Sequence, residues 1–224
     1  MANIFTSSIG KKFIMSVTGL FLIIFLLLHA TINGLSLISA DAFRAGCDFM
    51  ALPIITVMVP ILAAGFIIHI IYAIYLSWTN YKARGNNRYA VANKSQADNW
   101  AAKNMLVLGI VVLGILAFHL THFWADMQLQ QFQGVAHEDL ADPYQLLLDT
   151  FKCGWVTAIY VVWFVALWMH LTHGFWSAFH TLGWNNNIWI SRLKVISYIV
   201  ATIICLVFVA VAVVSCLKGN GIIM

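Results

Sequence analysis

The 224 residues are 62 % apolar and only 9 % charged, with a mean hydropathy of +0.88. That balance excludes a soluble domain, whose surface needs far more charge, and makes the lipid bilayer the first partner, with no nucleic acid expected. The formal net charge of +4 is small, and its distribution between loops says more than its total.

Five apolar runs are long enough to cross a bilayer core, at about 12–37, 53–79, 103–125, 153–182 and 189–217. Their connections are short and no composition shift marks a linker. The chain therefore reads as one all-α domain over residues 1–224, a bundle of five transmembrane helices. The nine Trp, seven Tyr and fifteen Phe suit interface belts, lipid-facing bulk and the packing of a flat macrocycle alike.

The first run follows Lys11 and Lys12, is too long for a signal peptide, and has a poor cleavage site at Ile38-Ser39-Ala40, so it reads as a retained helix. Early in it, Ser16, Thr18 and Gly19 form a small, hydrogen-bonding face; Ser16 either bonds its own backbone or reaches a haem propionate. His29 lies toward the other end. A loop over 38–52 carries Asp41, Arg44, Cys47 and Asp48 and ends at Pro53. The second run holds His69, with Gly65 one turn before it and Ala73 one turn after. That row either clears space for a flat ring or serves plain helix packing. Residues 80–102 are basic and rich in Asn, a topological signal that also suits docking of a soluble subunit. The third run contains FHLTHFW, with His119 and His122 three apart, and an acidic loop with a surface histidine, His137, follows over 126–150.

The fourth run contains WMHLTHGFWSAFH. His170, His173, Gly174, Ser177 and His180 fall on roughly one helical face. Ionisable side chains are costly in hydrocarbon, so histidines there point to a functional site. A neutral imidazole is an axial haem ligand that an apolar setting tolerates. The fifth run is smooth and aliphatic, without an ionisable residue between Lys194 and Lys218, and reads as packing. No CxxC pair occurs. Cys47 and Cys153 fall near the same face, where either a disulfide or two free thiols is expected.

Lys11, Lys12, Lys82, Arg84, Arg88, Lys94, Lys103, Arg192 and Lys194, nine of the twelve bases, belong to one side. Arg44, Lys152 and Lys218 belong to the other, with every acid except Asp98. The positive-inside rule places the N-terminus in the cytoplasm and the C-terminus outside. Depth then sorts the histidines. With a rise of about 1.5 Å per residue, His29 counted from Lys12 and His119 counted from Lys103 both reach roughly 25 Å, near the outer leaflet. His69 counted from Pro53 and His170 counted from Cys153 descend equally far, toward the inner leaflet. Two level pairs are expected, His29 with His119 and His69 with His170, on the order of 15 Å apart along the normal. Each would clamp one haem from both sides. Matching depth favours His119 over His122 and His170 over His173, leaving the second of each to bond a propionate, a backbone carbonyl or a quinone.

These stretches resemble the membrane-anchor cytochrome b of di-haem succinate:quinone oxidoreductases and fumarate reductases. The matching segments are TGLFLIIFLLLHA ending in His29, the His69 helix, FHL at His119, and HLTHGFWSAFHTLGW starting at His170. They cover essentially the whole chain. In that family the last ligand precedes a glycine by four residues, as His170 precedes Gly174, so the resemblance also selects His119 and His170. It implies two haems b and a flavoprotein subunit and an iron–sulfur subunit on the cytoplasmic face. It further implies exchange of electrons with a quinone, menaquinone above all, in a bacterial inner membrane. The dicarboxylate chemistry would lie on another chain, and a homodimer of the heterotrimer is compatible with this arrangement. Some relatives carry a glutamate where this chain has Trp168, which argues against that proton route, and Asp41 and Asp48 are loop candidates for a quinone-site acid. Two rivals are the cytochrome b of a hydrogenase or formate dehydrogenase, which places its ligands on different helices, and a histidine-relay transporter. The latter would show intramembrane acids or broken helices, which the sequence lacks.

Overall fold

The computed structural model describes residues 7–84, 100–135 and 139–223. The basic connection with Arg88, Lys94 and Asp98, and the loop residues His137 and Glu138, lie outside them. All regular structure among the described residues is helical: α1 (Ser8–Gly34), a 3-10 turn (Leu35–Leu37), α2 (Ala40–Met50), α3 (Pro53–Thr56) and α4 (Met58–Arg84). There follow α5 (Trp100–Lys103), α6 (Met105–His119), a π-helix (Leu120–Leu129), α7 (Gln130–Phe132), α8 (Pro143–Lys152), α9 (Gly154–Thr181) and α10 (Asn187–Gly219). Five stretches are long and apolar enough to cross a membrane, Ser8–Leu37, Pro53–Ala83, Met105–Phe132, Gly154–Thr181 and Asn187–Gly219. This is a multi-pass membrane chain by length and composition.

Four of the helices begin where a side chain satisfies an open backbone amide of the first turn. Ser7 accepts from the amide of Gly10 before α1 at 3.0 Å. Ser39 accepts from Ala42 at the start of α2 at 3.0 Å. Asp142 accepts from Gln145 at 2.8 Å, with Pro143 in the first turn of α8. Asn186 accepts from Trp189 at the start of α10 at 2.9 Å.

Two features depart from the sequence expectation. The loops at 38–52 and 126–150 contain helices, α2 and α8, which bury Phe43 and Gly46 on one and Leu147 and Phe151 on the other. The third span does not end near residue 125 but runs on through the π-helix to Phe132. Asp126, Gln128 and Gln130 give that stretch the composition of a loop, yet Gln128 donates to Gln131 at 2.9 Å, so polar side chains satisfy one another along the helix.

The chain divides into two compact units. One comprises Met1–Phe25, Val57–Gly109 and Met169–Ala201. Its buried side chains include Ser16, Leu22, Leu108, Leu171, Ala178, Leu193 and Ser197. The other comprises Leu26–Thr56, Ile110–Trp168 and Thr202–Met224. Its core gathers Phe43, Leu147, Phe151, Val156, Tyr160, Val211 and Ala212, so α2 and α8 fold their apolar faces onto the long helices of that unit.

Arg44 fastens these two short helices together. Its Nε donates to Asp142 at 2.6 Å and its Nη1 to Asp41 at 3.0 Å, with the guanidinium 5.9 Å from the Tyr144 ring. The hydrogen bond from Arg44 holds the Asp142 carboxyl below its usual range against an upward push from burial, with the Gln145 amide and the Arg44 charge adding to the lowering. A carboxyl lowered in the folded state contributes stability that is complete above the ordinary carboxylate range and fades as pH falls through the lowered value. Thermal melts between pH 6 and pH 3 are therefore expected to show an acid-side loss below about pH 4 that is blunted in Arg44→Met. Both partners are more than a third exposed, at 43 % and 37 %, so the effect is expected to be modest.

Candidate functional site

The two units each bring one pair of histidines together. In the first, His69 on α4 and His170 on α9 stand with ring centroids 6.5 Å apart and planes at 71°. In the second, His29 on α1 and His119, the last residue of α6, are 5.7 Å apart at 86°. A nitrogen–iron bond is about 2 Å, and an imidazole centroid lies ~1 Å behind its nitrogen, so two rings gripping one iron stand about 6 Å apart. Both separations meet that span. All four imidazoles are partly buried and none is sealed within the protein. Among the described residues no three His, Cys, Asp or Glu side chains gather at one point. Each pair therefore offers two ligands, which fits a group that brings its remaining donors with it, as a porphyrin does.

The surroundings of His69 fix its tautomer. The Thr18 hydroxyl donates to the carbonyl of Ile14 at 2.9 Å, with that of Met15 at 3.1 Å. Its proton is thereby committed to its own helix, and its free lone pairs face His69 Nδ1 at 3.3 Å. Nδ1 is then the protonated nitrogen and Nε2 the donor atom left for a metal. The carbonyl of Met15 also lies within reach of this ring. Glycine backbone supports the Cε1 edge of each ring in this pair. A Cβ on Gly19 would stand 3.3 Å from His69 Cε1, and one on Gly109 would stand 3.7 Å from His170 Cε1. The Nδ1 of His170 is buried with no hydrogen-bond partner, an orphaned nitrogen on a ring of this pair. In the other pair, His29 also meets the ring of Phe208 at 5.7 Å, and the Asn33 amide donates to the His29 carbonyl at 2.9 Å while lying 3.4 Å from its Nε2. That weak contact is one a metal would displace. The ring of His119 lies 5.2 Å from that of Phe123.

The remaining residues singled out by sequence take other places. Ser16 donates to the carbonyl of Lys12 at 2.9 Å, the backbone bond expected of a serine in a membrane helix. Gly65 gives its clearance to Phe21, whose ring would lie 2.9 Å from a Cβ there, so it serves helix packing. Gly174 faces open space. His122 packs on Phe118 at 4.1 Å, with Nδ1 3.0 Å from the Phe118 carbonyl. His173 stands edge-on to Trp176 at 5.0 Å, its Nδ1 buried without a partner, while the Lys194 ammonium lies 4.9 Å from the same indole. Neither histidine belongs to an imidazole pair. Trp168 donates its indole N–H to Thr202 at 2.9 Å, a neutral contact. Asp41 is held by Arg44. All four cysteines are free thiols, so Cys47 and Cys153 form no disulfide. Burial, then the charges of Asp48 and Asp142, push the Cys47 thiol up to about 12, which leaves it unreactive.

Sequence reasoning missed Thr18, Gly19 and Gly109 as supports and Asn33 as a neighbour of His29. Asn33 follows His29 by one turn and was legible by helical spacing; the others depend on which helices meet. No protein-family model, no curated protein and no solved structure matches the chain.

Proposed function

We propose that the chain is a membrane electron carrier, the cytochrome b anchor of a succinate:quinone oxidoreductase or fumarate reductase. It would hold one haem b between His69 and His170 and a second between His29 and His119. The observation that carries this reading is the occurrence of two imidazole pairs, each on two different helices, at the separation that one iron requires. Bound haem supplies reversible one-electron transfer at an iron with no open coordination position. The protein's part is to present neutral nitrogens. Thr18 does this by accepting a hydrogen bond from His69 Nδ1, and Gly19 and Gly109 leave room at the Cε1 edge of each ring.

On this reading the connections with the excess of bases, and with them the N-terminus, face the cytoplasm, and the bacterial inner membrane is what the family resemblance implies. Flavoprotein and iron–sulfur subunits would dock on that face, and electrons would pass through the chain to or from menaquinone in the membrane. The test is a reduced-minus-oxidised spectrum and haem assay of the purified full chain. Two haems b per chain are expected, and a chain without b-type absorbance would be no cytochrome.

A further inference from the structure

Tyr160 on α9 is 3 % exposed, and its hydroxyl is a buried polar atom with no hydrogen-bond partner. Leaving such a group unmet is costly, so native proteins seldom leave one without a ligand or water. His122 lies beside it, ring centroids 6.4 Å apart. A carbonyl only accepts, so the contact between His122 Nδ1 and the Phe118 carbonyl puts the proton on Nδ1 and leaves Nε2 as an acceptor. A phenol proton and an imidazole lone pair therefore lie on neighbouring rings. Aromatic rings surround them: Phe118 at 5.6 Å and Trp163 at 6.0 Å from Tyr160, with Trp155 at 6.5 Å from Phe118. Trp155 is 61 % exposed, so this aromatic cluster reaches the outer surface of the helices.

We propose that Tyr160 and His122 bind the hydroxyl edge of a membrane quinol, an assignment that rests on the electron-carrier reading and gives it a quinol site. One oxygen must accept from the Tyr160 hydroxyl and donate to His122 Nε2. A quinol hydroxyl does both, whereas a quinone carbonyl can only accept. The site is thus built to prefer the reduced form. The surrounding aromatic rings suit the flat ring that carries this hydroxyl. A single water has the same hydrogen-bonding capacity, and the experiment separates the two.

The full chain in detergent is titrated anaerobically with 2,3-dimethyl-1,4-naphthoquinol, and separately with its oxidised form, following quenching of tryptophan fluorescence. Saturable binding is expected, tighter for the reduced probe. Tyr160→Phe, which removes one oxygen and no packing, is expected to weaken the reduced probe on the order of fivefold to tenfold. His122→Leu is expected to erase the preference for the reduced form. Quenching that rises linearly without saturation would overturn the quinol site and leave water as the partner of Tyr160. A Tyr160→Phe chain that binds like the wild type would equally overturn the site. Haem content of the same preparations keeps the two readings apart. Haem present with an indifferent Tyr160 removes only the quinol site; saturable quinol binding without haem removes only the cytochrome.

Discussion

On the cytochrome reading, His170→Ala is expected to release one haem and keep the other, lowering the haem content from two per chain to about one. The same is expected of His69→Ala, and the haem lost is the same one, because each iron depends on both of its imidazoles. His29→Ala and His119→Ala should form a second matched pair, removing the other haem. A double variant within a pair should look like either single variant, and a double variant across pairs should carry none. This non-additivity is the signature of a shared ligand and separates it from general destabilisation, which would reduce both haems together. His122→Ala and His173→Ala are the controls and should retain both haems, since neither ring meets another member of a pair. Haemochrome assay and the reduced-minus-oxidised spectrum read all of these. A control that loses a haem while its neighbour retains two would transfer the ligand role by one turn.

Thr18→Val should weaken haem retention at the His69–His170 pair by about tenfold and leave the other pair unchanged. Valine reproduces the shape of threonine but cannot accept the Nδ1 proton of His69. Loss of such a partner typically lowers metal affinity 10- to 100-fold, and the low end is expected here because the Met15 carbonyl lies close enough to substitute in part. The measurement is the rate of haem transfer to an acceptor globin, followed separately for the two haems by their spectra or potentials. Thr18→Ser retains the acceptor and should behave like the wild type. If Ser and Val variants lose haem equally, the hydroxyl has no part in orienting the ring.

The spans were legible because apolar runs of this length have few alternatives in a chain with so little charge. The two histidine pairs were legible for a geometric reason: alternating helices rise at a fixed rate, so residue counts from the basic flanks sort His29 with His119 and His69 with His170. What local pattern did not disclose was the contact made by each small residue. Gly65 lies one turn from His69 and seemed placed to clear a ring, yet it receives Phe21, while Gly19 on a different helix lies under the imidazole. Helix α8 carried its own start signal in Asp142 and Pro143, and α2 in Ser39 with Asp41, but their acidic and polar residues gave both stretches the look of loops. The π-helix had no comparable sequence mark. Its wide turn follows His119 directly, and the ring of His122, three residues into it, lies beside Tyr160 and in neither pair.

The distribution of the four imidazoles over four helices also bears on biogenesis. A ribosome delivers α1, α4, α6, α9 and α10 in that order. His29 and His119 are both present once the third span has emerged, whereas His69 waits for His170 on the fourth, and α10 contributes no histidine. On the cytochrome reading, a nascent chain halted after Phe132 already has both ligands for one haem. Cofactor capture can then be staged during synthesis, with one site competent before the other exists.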